Sequence, residues 1–116
     1  MNEELKRCSL CGLCKENCPV FSLIIEETVS PRGKSILLKK EVLDKILYMC
    51  SLCKSCETTC PANVKLTDVF REARASLVEK GIETEKNTEM IKNIREFGNP
   101  FGKLEKDKKI KELFCC

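Results

Sequence analysis

Two stretches carry nearly all of the reactive side chains. The first reads CSLCGLCKENCP, residues 8–19, and the second CSLCKSCETTCP, residues 50–61; together they hold eight of the ten cysteines. Cys8, Cys11, Cys14 and Cys18 map onto Cys50, Cys53, Cys56 and Cys60 at a constant offset of 42, and Ser9, Leu10 and Pro19 map onto Ser51, Leu52 and Pro61. One unit is used twice. Clustered thiols in one chain do one of three things: they cross-link, they bind zinc, or they hold iron and sulfide.

The spacing favours the third. C-x2-C-x2-C-x3-C-P is an iron–sulfur signature. Three cysteines with two residues between neighbours let a tight loop wrap one corner of a four-iron cubane and offer three thiolates to three irons. Backbone N–H groups of such a loop point inward. The fourth cysteine points away and, where two such runs occur, ligates the other cluster. The proline after it sets the chain direction and has no N–H to place. One [4Fe–4S] cluster is therefore expected on Cys8, Cys11, Cys14 and Cys60, and a second on Cys50, Cys53, Cys56 and Cys18. Thiolate-only ligation suits such clusters. Zinc would use paired C-x2-C units separated by a longer knuckle. A secreted disulfide scaffold is not expected, because the opening MNEELKRC is charged and polar with no apolar signal segment behind it.

Composition agrees. A chain of 116 residues with one Tyr, five Phe, no Trp and no His is near the size at which an apolar core alone is marginal, and clusters would staple it. The formal charge of +3 would fall to about −1 with two clusters of about −2 each, so it carries no signal for nucleic acid. The longest apolar run, VFSLII at residues 20–25, is too short to cross a membrane and long enough for a turn or two of buried helix. A cytoplasmic location is expected.

The positioning elements read as helices. Between the motifs, Ser30 suits an N-cap and Pro31 the first helical position. Ile36, Leu37 and Leu38, then Val42, Leu43, Ile46 and Leu47, predict two short helices broken near Lys40, the second delivering the chain to Cys50. Leu66, Val69, Phe70, Ala73 and Leu77 recur at helical spacing, with Gly81 as a stop. Met90, Ile91, Ile94 and Phe97 predict a further helix, ended by GNPFG at 98–102. No stretch alternates with period two, so the fold class is all-α.

CSLCGLCKENCPVF, SPRGK, CSLCKSCETTCPANV, a following helix with Arg71 or Arg74, and GNPFG together resemble the two-[4Fe–4S] module of heterodisulfide reductase. The iron–sulfur subunits of glycolate oxidase and of anaerobic glycerol-3-phosphate dehydrogenase are similar, and the C-terminal half of succinate dehydrogenase's iron–sulfur subunit shares the architecture. The resemblance covers about residues 5–102 and implies an alpha-helical ferredoxin domain over 1–102, with a charged tail over 103–116. It implies a subunit relaying single electrons between a flavoprotein, such as a dehydrogenase or reductase subunit, and a second redox partner such as a CCG-domain subunit. Larger members carry CCG segments. Here LFCC ends in Cys115 and Cys116, so the family's disulfide-reducing site is not expected to carry over. An iron–sulfur sensor that regulates a partner is the alternative, though a sensor needs only one cluster.

Other residues have two readings each. Arg32, in SPRGK, either offsets cluster charge or is a surface arginine on a capped helix. Gly12 either supplies a positive φ or close approach, or is an ordinary turn glycine; Lys54 holds the matching position. The tail lysines, Lys103, Lys106, Lys108, Lys109 and Lys111, alternate with Glu105, Asp107 and Glu112 and read as a solvated face rather than a docking site. No aromatic platform accompanies them, which argues against a nucleic-acid partner. No catalytic acid, base or nucleophile is visible. Cys115 and Cys116 are expected as unligated thiols, the other reading being a ligand at a partner interface. A chain ending at Phe114 should therefore keep all of its iron. The two terminal thiols should also alkylate in the loaded protein while the other eight stay protected; iron loss on truncation would contradict this.

Overall fold

The computed structural model describes residues 3–105. Cys115, Cys116 and the tail lysines from Lys106 onward lie outside the described residues. The described chain is all-α, with no strand, and divides after Gly81 into two units. No described helix is long and apolar enough to cross a membrane.

The first unit holds both cysteine runs. Its helices are α1 (Glu3–Lys6), α2 (Pro19–Ile24), α3 (Pro31–Lys39), α4 (Ser55–Thr58) and α5 (Leu66–Glu79), with 3₁₀ turns at Leu13–Lys15, Glu27–Val29 and Lys45–Tyr48. The core is small: Leu5, Val29, Leu47 and Val64 pack with Leu66, Val69, Phe70, Ala73 and Leu77 of α5. The five α5 positions are the ones its periodicity marks. Burying each large side chain is worth about 1.5–3 kcal/mol, so a core of this size leaves the unit dependent on other ties.

Helix α3 begins as its sequence dictates. Ser30 is extended (φ −69°, ψ 157°) and its hydroxyl accepts the Gly33 N–H at 2.9 Å, with Pro31 in the first turn. What the helix buries is less expected. Ile36, Leu37 and Leu38 are only half-buried, whereas Pro31, Gly33, Lys34 and Ser35 are buried. The helix is inserted by its polar first turn rather than by its apolar end. Gly33 permits this: a Cβ there would lie 1.8 Å from the Glu27 carbonyl oxygen. The helix start rests directly on the backbone of the preceding 3₁₀ turn.

Two readings of the sequence are corrected. The second helix expected before Cys50 is a single 3₁₀ turn, Lys45–Tyr48. Glu41 takes φ 58° and Asp44 accepts the Ile46 N–H at 2.8 Å, so an aspartate-closed turn replaces helix. The run at 20–25 does form a helix, α2, but it contributes no buried residue, and Leu23 is 85% and Ile25 76% exposed. Apolar content set its conformation and not its burial. Helix α2 ends at Ile25 in the left-handed region (φ 57°).

The second unit contains α6 (Glu85–Phe97), which spans the predicted Met90, Ile91, Ile94 and Phe97 and ends at Gly98. The GNPFG turn is closed locally: Asn93 donates to the Pro100 carbonyl at 3.0 Å, and Asn99 to that of Gly102 at 3.0 Å.

Gly33→Ala should destabilise the loaded protein by roughly 2 kcal/mol or more, because backbone must move to admit the methyl. Thermal unfolding checks this, with Gly81→Ala as control, since a Cβ at Gly81 meets nothing within 4 Å and only its left-handed backbone costs, about 1 kcal/mol. Equal losses in the two variants would remove the packing explanation.

Candidate metal centre

The two cysteine loops share a backbone. Leu10 and Gly12 have φ of 60° and 92°, and the matching Leu52 and Lys54 have 55° and 66°. The sequence repeat is thus a conformational repeat. Left-handed residues flank the second cysteine of each run, turning the chain so that sulfurs and N–H groups face one side. Gly12 is therefore more than a turn glycine. Lys54 adopts the same region at a cost of order 1 kcal/mol, which explains why glycine is not required at both positions.

Cys8, Cys11 and Cys14 line one pocket, and Cys60 of the distant run lines it with them. Cys60 arrives through contacts that join the ends of the unit. Arg7 donates to the Ala62 carbonyl at 2.6 Å, and Glu4 accepts the Lys65 N–H at 3.0 Å, so α1 clasps the segment after the second motif. Cys56 is buried, Cys50 and Cys18 are half-buried, and Cys53 is exposed. The Lys34 ammonium feels the charges of Cys50, Cys18 and Cys56, sulfurs drawn from both runs. Charge on Cys14 acts in turn on Cys56, so the two groups of sulfurs are neighbours.

Thiol acidities follow from surroundings. Burial pushes Cys14 up to about 11, with Cys8, Cys11 and Cys60 adding repulsion. Burial pushes Cys56 up to about 12, with Cys50 and then Glu57 adding to it. The N–H of Leu13 holds Cys11 below the ordinary thiol value, and the hydroxyl and N–H of Ser55 do the same for Cys53. Leu13 and Ser55 are 42 apart, so the exposed cysteine of each run is the acidic one. Further sulfurs accept backbone donors: Cys50 from Leu52 at 3.5 Å, Cys18 from Phe21 at 3.5 Å and Cys60 from Val64 at 3.4 Å. Loading a metal onto these groups must release the protons of Cys14 and Cys56, which ties affinity to pH.

Cations surround the sulfurs. Arg32, for which the sequence left a charge offset and a surface arginine both open, lines the first pocket, and its Nε is buried with no hydrogen-bond partner. Its nearest carboxylate is Glu27 at 3.8 Å. Arg74 resolves the choice between the two α5 arginines: it donates to the carbonyls of Leu47 at 3.0 Å, Tyr48 at 3.2 Å and Cys50 at 2.5 Å. Arg71 faces Asp68 on the surface instead. Lys39 donates to the Cys8 carbonyl at 2.6 Å. Lys34 and Lys39 are not singled out by the sequence. Helical periodicity reports apolar positions, and a lysine buried at a helix start leaves no such mark.

Four soft donors around one hollow, N–H groups directed at sulfur and a buried cationic nitrogen without a hydrogen-bond partner at its wall fit an anionic iron–sulfur cluster. The fold and the site together define a helical, thiolate-lined iron–sulfur module. Residues 4–64 match the 4Fe-4S dicluster domain, and the chain, of which this is more than half, belongs to that family. Its role is iron–sulfur electron transfer. No curated protein matches the chain.

Arg74→Gln should cost roughly 2 kcal/mol, the range for hydrogen bonds made by a charged group, and should hasten iron release to a chelator. Arg71→Gln should stay within about 0.5 kcal/mol. Iron-release rates and melting temperatures test the pair, and equal effects would deny Arg74 its place on the second loop.

Proposed function

We propose that the chain holds two [4Fe–4S] clusters with crossed ligands, Cys8, Cys11, Cys14 and Cys60 on one and Cys50, Cys53, Cys56 and Cys18 on the other. It then relays single electrons between a flavoprotein and a second redox subunit. The observation that carries this is the presence of Cys60 in the pocket of the first run. A self-contained site would draw its fourth ligand from its own run. The cluster accepts and releases one electron without a change of ligands; the residues around it supply position and charge. The loops fix eight thiolates, Arg32 and Lys34 bring positive charge, and the N–H groups on sulfur favour the thiolate form. The exposed Cys11 and Cys53 give each site an edge toward solvent, where a partner can approach.

The resemblance to the two-cluster module of heterodisulfide reductase and to the glycolate oxidase iron–sulfur subunit names the kind of assembly: a soluble, cytoplasmic oxidoreductase in which residues 1–102 form the relay and 103–116 a charged tail. Within it the chain is the conducting subunit and transforms no organic substrate itself.

Anaerobically prepared protein should contain about eight iron and eight sulfide per chain. In Cys18→Ala, the signal lost or converted should be the one also perturbed by Cys53→Ser, not the one perturbed by Cys11→Ser. Zinc without sulfide would sink the cluster reading. A Cys18 effect confined to the first run's site would sink the crossing while leaving the clusters intact.

A further inference from the structure

Lys34 is 1% exposed and is the largest fully buried side chain of the core. Its ammonium donates to the Val29 carbonyl. Among the described residues it forms no ion pair with a carboxylate, although six such pairs are present elsewhere. A buried cation with only a carbonyl to answer it is costly, and such a residue persists where a negative charge stands nearby. The groups whose charges act on Lys34 are Cys50, Cys18 and Cys56, and the cation Arg74, itself bonded to the Cys50 carbonyl. The three sulfurs come from both motifs, and they are three of the four that the crossed reading assigns to a single cluster.

Helix geometry makes this selective. Residues 32 and 34 are two positions apart, roughly 200° around an α-helix, so they leave α3 on opposite sides. Arg32 reaches the pocket of Cys8, Cys11, Cys14 and Cys60, and Lys34, on the opposite side, is enclosed against the Val29 carbonyl and feels the charges of Cys50, Cys18 and Cys56. The first is half-buried and shares its charge with Glu27 at 3.8 Å. The second is fully enclosed and shares its charge with no carboxylate.

We propose that Lys34 is a tuning residue for the cluster of Cys18, Cys50, Cys53 and Cys56: its enclosed positive charge raises that cluster's reduction potential selectively, while Arg32 acts on the other. The inference rests on the two-cluster, crossed-ligand reading. Reduction adds one electron and one negative charge to the cluster, drawn from a one-electron reductant that is oxidised in the same step, and no proton moves. Positive charge held nearby stabilises the reduced form more than the oxidised one, and burial protects the effect from salt.

The test is an anaerobic potentiometric titration of the loaded protein followed by EPR, with the two signals assigned through Cys11→Ser and Cys53→Ser. Lys34→Met should lower the reduced-to-oxidised ratio of the Cys53-linked signal about tenfold at fixed potential, ~59 mV for a one-electron couple, and leave the other signal in place. Lys34→Arg, which keeps the charge, should stay within about threefold of the parent. Arg32→Gln should move the Cys11-linked signal instead. Lys34→Gln repeats the measurement with a donor left for the Val29 carbonyl, should the Met variant not load. The proposal is overturned if Lys34→Met moves neither signal or both alike, if Lys34→Arg shifts as far as Lys34→Met, or if neither neutral variant loads while Lys34→Arg does. That last outcome would make the cation an assembly element only. A parent protein lacking iron and sulfide, or showing one signal, would instead overturn the cluster reading beneath it.

Discussion

Everything in the first unit is arranged around the difficulty of bringing several thiolates together in a small protein. Negative sulfurs lose solvation when enclosed and repel each other, and both effects push the Cys14 and Cys56 thiols up. The chain answers with fixed donors and cations rather than with bulk. Left-handed residues aim N–H groups at sulfur, the first turn of α3 brings Arg32 and Lys34, and Arg74 and Lys39 hold the loop carbonyls. The positive end of α3 adds to the same field. The apolar core can then be slight, because much of what defines the unit is electrostatic and, in the proposed holo form, covalent.

That arrangement explains why α3 runs contrary to an ordinary amphipathic helix. Its polar N-terminal turn is inside and its Ile36–Leu38 segment is only half-covered. Gly33 is the structural condition for this insertion: with any side chain there, the helix start would be held off the Glu27–Val29 turn. Arg32 and Lys34 would then stand farther from the sulfurs. A glycine between two cations is a packing solution and an electrostatic one together.

The sequence disclosed the site more fully than it disclosed the scaffold. Spacing alone groups the cysteines and proposes that Cys60 joins the first run, and Cys60 lines the same pocket as Cys8, Cys11 and Cys14. Repeated residues carry repeated backbone, so Leu10 and Leu52, and Gly12 and Lys54, take matching angles. Helix α5 is legible because its five buried apolar positions follow period 3.6. The failures have one cause. For helix α2 and the segment before Cys50 the only signal is apolar content, which says what a segment tolerates and not what neighbours it has. Lys34 is invisible for the converse reason: the sulfurs Cys18 and Cys50, whose charges act on it, each lie 16 positions away along the chain.

The separation of Arg32 and Lys34 bears on how the proposed relay of two like centres would acquire direction. Two loops of one sequence pattern, folded alike, would give two sites of similar potential, between which an electron has no preference. The asymmetry has to come from outside the repeat, and α3 lies in the spacer between the copies, where nothing requires symmetry. The two cations of its first turn, Arg32 and Lys34, differ in enclosure and in partners: one loses part of its effect to Glu27 and solvent, the other is enclosed with no carboxylate paired to it among the described residues. Duplicated motifs thus supply the ligands, and the unduplicated spacer supplies the difference between them. In such a chain, substitutions that redirect electron flow belong in α3 rather than in either cysteine loop.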